Sequence, residues 1–416
     1  MKSKSGVLWL TSGALLLAGC ASGTVTSGGP GSYRVVVASA AQGAGGVDVL
    51  TTEKKSVLSL PFGTLSPDGQ RLYVTAVNHQ GKPQLRSVDT RTGSTTNEMA
   101  ISAAYFEAPG IISSNGRWLI RSFVDQVLTT HIGVFDTRNL AERALALKGV
   151  FALDAIDDAG SVLYLLETVG PNQYRVRDYD LAGDRLDDHV IVDKTDASPV
   201  MNGTRVATVA TADGEKVFGL YQRPGRPPFI HVLWTTQKLA WCVDLPPVGS
   251  ADVATGWSLL LDERRARVYA INARGIVAEA DYSNLPQLLR TESFQPPPAT
   301  SWHLPWAPSP FVGDASAKGY EGLAMNGGSA LSPDGRTIYV PDTSGYMTIA
   351  TVSLRPTGRR LSGHSLSSLA ISPDGKNVFA LQPDSNLVIE VDATSGQQVA
   401  TFTLPYPVGI LKVEAP

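Results

Sequence analysis

Apolar and polar positions along the chain follow one recurrent pattern. An apolar residue precedes a short polar turn, and a run of β-branched and aromatic residues follows it. Three copies are nearly identical. Leu65-Ser66-Pro67-Asp68-Gly69 leads into Leu72-Tyr73-Val74, Leu331-Ser332-Pro333-Asp334-Gly335 into Ile338-Tyr339-Val340, and Ile371-Ser372-Pro373-Asp374-Gly375 into Val378-Phe379-Ala380. Weaker copies are Ser113-Ser114-Asn115-Gly116, Asp157-Asp158-Ala159-Gly160, Thr211-Ala212-Asp213-Gly214 and the degenerate Asp262-Glu263-Arg264-Arg265. Proline pre-sets φ near −65°, aspartate tolerates the next turn position, and glycine takes the positive φ that follows. The apolar and aromatic runs on either side have strand composition, so each copy reads as a hairpin.

Two further strands follow each hairpin. Leu387–Asp392 and Val399–Leu404, separated by Ala393-Thr394-Ser395-Gly396, are one such pair, and Ile132–Asp136 begins another. Four strands per repeat describe one blade of an all-β propeller. The turns recur about every 40 to 54 residues, the usual blade size, with one longer interval before Gly335. Val408–Val413 has the pattern of an innermost strand, and Tyr33–Val37 has that of the strand beside it. Joining the two termini in one blade removes the edges an open ring would expose. Seven turns plus this composite blade predict eight blades; seven is the commoner number.

Composition agrees with a large folded chain. Of 416 residues, 43% are hydrophobic, which excludes global disorder, and 40 Gly with 27 Pro supply many turns. The formal net charge of −3 gives no general argument for nucleic acid as a partner. Two cysteines exclude a disulfide scaffold and a four-cysteine zinc site.

The first thirty residues carry an address. Lys2 and Lys4 precede an apolar run from Gly6 to Ala18, too short to span a bilayer but right for a signal peptide. The run ends in Leu17-Ala18-Gly19-Cys20, which resembles the bacterial lipobox. That resemblance implies a signal peptide over 1–19, a lipidated Cys20 and a membrane anchor through it. Residues 20–32 then form a Gly/Ser/Thr-rich tether, and 33–416 form the propeller. Ala21 in place of Asp implies the outer membrane, facing the periplasm, if the source is Gram-negative. Cys242, between Trp241 and Val243, reads as a small hydrophobe on a strand.

The Ser-Pro-Asp-Gly turns followed by Leu72-Tyr73-Val74-Thr75, Ile338-Tyr339-Val340-Pro341 and Val378-Phe379-Ala380-Leu381 resemble the YVTN-type, lactonase-like β-propeller repeats of bacteria. The resemblance covers about residues 33–416 and implies the propeller fold. Its families are mixed in activity, so it implies two classes of function. One is a non-catalytic binding or scaffold module for an envelope protein or glycan. The other is a lactonase-like enzyme with its site in the central funnel, which needs polar residues converging on the ring axis. The innermost strands expected here, among them Val206–Val209 and Ser258–Leu261, are small or apolar.

Strand direction alternates within a blade, so the uniform Ser-Pro-Asp-Gly turns share one face and the irregular insertions share the other. Function usually sits on such insertions. The longest, Glu292–Gly328, holds Trp302, His303 and Trp306 in a Pro-rich stretch, then Tyr320 and Glu321. These residues are either a partner-binding surface or a loop that packs its own aromatics over the ring. No cofactor or metal is expected: the six His are scattered, and haem-attachment, zincin, nucleophile-elbow and phosphate-loop motifs are absent. The four Asp between Asp180 and Asp188 are better explained by a Gly183-Asp184 turn than by calcium.

Overall fold

The computed structural model describes residues 31–40, 45–102, 105, 110–192, 198–223, 225–247, 257–272, 275–295 and 328–415. They form eight antiparallel sheets in a ring, as the repeat spacing predicts. Blade 1 is composite: its innermost strand is Pro407–Glu414, followed outward by Arg34–Ser39, Gly46–Thr51 and Ser56–Pro61. Blades 2 to 8 follow in chain order. Their innermost strands are Thr64–Leu65, Ile111–Ile112, Phe151–Ile156, Thr204–Ala210, Trp257–Asp262, Ala330–Leu331 and Ser368–Ile371.

The core is divided into wedges. Each of eight buried apolar clusters fills one interface between neighbouring blades. Middle strands are therefore covered on both faces, and alternate residues serve different neighbours. Val35 and Val37 pack toward Phe379 and Val388 of blade 8, whereas Val36 packs toward Leu72 and Val74 of blade 2. This is why these strands read as near-continuous apolar runs rather than as alternation. Each fully buried side chain of this kind contributes about 1.5–3 kcal/mol.

The turn chemistry is self-contained. Ser66 Oγ donates to Asp68 Oδ1 (2.5 Å) and accepts the N–H of Arg71 (2.9 Å), while Asp68 Oδ1 accepts the N–H of Gln70 (3.0 Å). Ser332 with Asp334 and Ser372 with Asp374 repeat the arrangement, and Thr211 with Asp213 substitutes a threonine. That hydroxyl bond holds Asp334 and Asp213 below the ordinary carboxylate range. A second device ties the outer hairpin to the inner one. Thr90, Thr137, Thr235 and Thr351, each just past a third strand, donate Oγ1 to the carbonyls of Gly69, Gly116, Gly214 and Gly335 at 2.7–2.8 Å. All the turns of these two kinds lie on one face, called here the turn face. The opposite, loop face carries the turns between second and third strands and the connections between blades.

Ring closure joins the chain ends. Arg34–Ser39 pairs antiparallel with Pro407–Glu414, with Arg34 opposite Glu414, Val35 opposite Val413 and Ser39 opposite Pro407. Two bulges lie within this pairing. Arg34 Nη1 donates to Glu414 Oε2 (3.0 Å), both side chains being buried, and Arg34 Nη2 donates to Thr90 of blade 2 (2.7 Å). Lys412 reaches the carbonyl of Pro67 in blade 2. Deleting residues 408–416 should lower the melting temperature of the whole ring by removing this pairing and the burial of Val413. Thermal unfolding followed by circular dichroism checks this; equal midpoints for the full and shortened chains would refute the composite blade.

Candidate functional site

Cys20, Trp302, His303, Trp306, Tyr320 and Glu321 all lie outside the described residues. The connection that carries the last five leaves blade 6 after Ser293 and enters blade 7 at Ala330, both at the loop face. Other residues on that face are placed in detail, and they form two assemblies.

The first is the hairpin tip of blade 3, between Trp118–Val124 and Thr129–Asp136. Asp125 accepts the N–H groups of Val127 (3.0 Å) and Thr129 (2.8 Å), so one carboxylate closes the turn. Its other oxygen lies 2.9 Å from Nε2 of His131, whose ring stacks on Phe123 at 4.8 Å. The His131 bond, with those backbone bonds, holds the Asp125 carboxyl below its usual range. The tip so fixed is apolar. Val127 is 79% exposed, and Leu128, 61% exposed, is held at φ 59°. A left-handed leucine in solvent gains no packing from its exposure, so local fold stability does not explain its side chain. Exposed apolar residues continue on neighbouring tips: Val77 on blade 2, Val169 on blade 4, and Tyr406 at φ 47° between blades 8 and 1. Together they trace an arc along the loop face over blades 1 to 4.

The second assembly lies in the loop-face half of the interface between blades 4 and 5. The second to fourth strands of blade 5 are Lys216–Arg223, Arg226–Trp234 and Leu239–Asp244. Register sets Arg205 opposite Tyr221, Tyr221 opposite Phe229, Gly219 opposite His231 and His231 opposite Cys242, all on one side of the blade. Tyr174 of blade 4 stacks on Tyr221 (5.1 Å), Tyr221 on Phe229 (5.3 Å), and the Arg223 guanidinium covers Phe229 (4.7 Å). His231 meets the edge of Tyr221 at 5.9 Å. Gly219 permits this crowding, since a Cβ there would lie 2.8 Å from the Tyr221 ring. Burial, with Tyr221 and Cys242 close by, pushes the Tyr174 hydroxyl well above its ordinary pKa, so it stays neutral.

Nearer the axis, a bulge in Phe151–Ile156 makes Asp154 the extra residue on its strand. Arg205 Nη1 donates to the Asp154 carboxylate and Nη2 to the Leu153 carbonyl (3.2 Å). The two side chains are 10% and 4% exposed. Asp154 is an acid on an innermost strand that the sequence reading passed over, because its strand has no proline turn to flag it. Asp154→Ala removes the carboxylate to which buried Arg205 is bonded and should cost about 3 kcal/mol or more. With Arg205→Met added, the cost should be less than the sum of the two single changes. Denaturant unfolding measures this, and a loss below ~1 kcal/mol for Asp154→Ala would refute the coupling.

Cys242, the acidic turn and Arg223 are placed as well. Cys242 sits half-buried on Leu239–Asp244. In the Asp180–Asp188 segment, Asp180 caps the N–H groups of Ala182 and Gly183, and Asp184 is held by Arg143 and Tyr179. Arg223 bonds Asp244 and the Pro227 carbonyl. Among the described residues no cluster of His, Cys, Asp or Glu could hold a metal ion, and no helix is long and apolar enough to cross a membrane.

No family model matches the chain, and no curated protein matches it. Solved structures share its fold. The dihydro-heme d1 dehydrogenase NirN is similar with a TM-score of 0.55 and 13% identity, over 91% of this chain and 74% of that one. AztD from Citrobacter koseri is similar with a TM-score of 0.54 and 10% identity, over 92% of this chain and 97% of that one. The periplasmic gluconolactonase PpgL of Pseudomonas aeruginosa gives 0.43 and 16%, over 92% and 99%. For NirN and AztD, at these identities, the likeness is one of fold alone.

Proposed function

We propose that this chain is a lipid-anchored cell-envelope protein whose propeller is a non-catalytic binding module, with its loop face as the docking surface. The observation that carries this reading is the blade 3 tip. A carboxylate, a histidine and a stacked phenylalanine rigidify a hairpin whose outermost residues, Val127 and Leu128, are exposed hydrophobes. Preorganised apolar side chains bind at low entropic cost, and an apolar arc suits a protein surface better than a sugar. The connection with Trp302, His303, Trp306, Tyr320 and Glu321 begins and ends on the same face and belongs to the proposed surface. The lipobox-like Leu17-Ala18-Gly19-Cys20 supports the anchor.

The distribution of acids supports binding over funnel catalysis. Described innermost strands carry three carboxylates, Asp154, Asp262 and Glu414. Each is bonded to an arginine: Asp154 to Arg205, Asp262 to Arg265 and Glu414 to Arg34. An acid so engaged is a poor general base.

Two measurements on intact cells test the proposal. The wild-type chain should incorporate labelled palmitate and Cys20→Ala should not; an unlabelled wild type removes the anchor from the proposal. A photo-crosslinking residue at position 127 should capture a discrete partner, and Leu128→Asn should cut that capture at least about fivefold. The melting temperature should not change, because asparagine accepts the left-handed conformation. Undiminished capture in Leu128→Asn would refute docking on this tip.

A further inference from the structure

The turn face holds a cleft that the binding reading leaves unused. It opens between blades 1 and 2, has a volume of about 370 Å³, and lies beside the seam where the ring closes. A water molecule's share of liquid volume is ~30 Å³, so the cleft admits a small organic molecule rather than an ion alone.

Its polar lining is cationic. Arg34 forms part of the wall with its side chain 6% exposed. Its bonds to Glu414 and Thr90 fix the guanidinium and leave three of five N–H groups for other partners. Arg91 stands near enough to depress the Arg34 pKa, adding to burial, the larger cause, while Glu414 and, less strongly, Asp89 oppose both. Arg91 Nε donates to Gln70 (3.0 Å), and among the described residues its terminal amino groups meet no acceptor. Lys54, also on the lining, has no hydrogen bond or ion pair among the described residues. Against these stands one lining acid, Glu53, which accepts the hydroxyl of Ser32 (3.1 Å). Two guanidiniums and an ammonium gathered around a hollow repel one another, and an anion placed among them removes that repulsion. Guanidinium forks match the oxygens of phosphate in geometry as well as charge. Val49, Val57 and Leu58 supply an apolar wall beside the cationic one.

We propose that this cleft binds a phosphate ester, its phosphate oxygens taken by Arg34, Arg91 and Lys54 and its organic part lying against Val57 and Leu58. The source is either a soluble phosphomonoester or the phosphodiester of a lipid headgroup. The site is independent of the loop-face reading and of lipidation at Cys20. Because it spans blades 1 and 2 at the seam, occupancy stabilises the closed ring by mass action.

Thermal unfolding of the full-length chain in non-ionic detergent tests this. The probes are sn-glycerol 3-phosphate, dihexanoyl phosphatidylglycerol below its micelle concentration, and sodium chloride at matched ionic strength. The midpoint should rise with glycerol phosphate and not with chloride. Lys54→Gln with Arg91→Gln should weaken the apparent affinity at least tenfold while leaving the midpoint in chloride unchanged or raised, since it removes like charges from the empty cleft. Lys54→Gln alone, which touches no contact the fold needs, should weaken it about threefold. Glu53→Gln should strengthen it, an opposite sign that a purely structural role would not produce. Response to glycerol phosphate alone identifies a soluble ester, and response to both phosphate probes identifies a headgroup. Equal midpoints in phosphate and chloride, or a response that survives in the double variant, would overturn the proposal.

Discussion

Pairing between the two ends of the chain is the constraint on which this fold depends. Seven blades are hairpin assemblies that form from contiguous sequence. The eighth exists only when Arg34–Ser39 lies beside Pro407–Glu414. That contact brings together residues separated by nearly the whole chain and so carries a large loop-closure cost. What offsets the cost is burial on both sides of the new blade. Val35 and Val37 complete the wedge against blade 8, and Val36 completes the wedge against blade 2. The buried Arg34–Glu414 pair adds register rather than much net energy, since desolvation offsets most of its attraction.

The two faces of the ring follow from different economies of hydrogen bonding. On the turn face, Ser-Pro-Asp-Gly side chains satisfy their own backbone, and the threonine bonds to Gly69, Gly116, Gly214 and Gly335 tie each outer hairpin to its inner one. Little freedom remains there. At the seam, where blade 1 has no first-to-second turn, Thr52 makes the equivalent tie by donating to the Gly31 carbonyl, and the cleft lies beside it. On the loop face, connections differ from blade to blade in length and chemistry. The blade 3 tip shows how rigidity is achieved there without the repeat: Asp125 and His131 fix the backbone and leave Val127 and Leu128 to solvent.

Much of the architecture was legible because it is local. Turn residues at fixed offsets announced each hairpin, and the apolar runs at 33–37 and 408–413 announced the closing blade. What was not legible depends on contacts between blades or on register. Asp154 and Arg205 are 51 residues apart and meet only when blades 4 and 5 pack. The Tyr174–Tyr221–Phe229 stack needs three strands in register across that interface. His131, one of six scattered histidines, acquires a partner through a hairpin whose tip lacks the usual Gly or Asn. The threonine tie was visible in principle: Thr90, Thr137 and Thr235 each fall 21 residues after their turn glycine.

Native-state hydrogen exchange on the closing strands measures the dependence of the ring on its seam. Amides of Val35–Ala38 and of Ile410 and Val413 should exchange only through global unfolding. Their opening free energy should equal that of Val378–Leu381 in blade 8 and the value from denaturant unfolding. Closing-strand amides that open at a markedly lower free energy, while those of blade 8 stay protected, would contradict this. The seam would then be a frayed end rather than the tie that holds the ring.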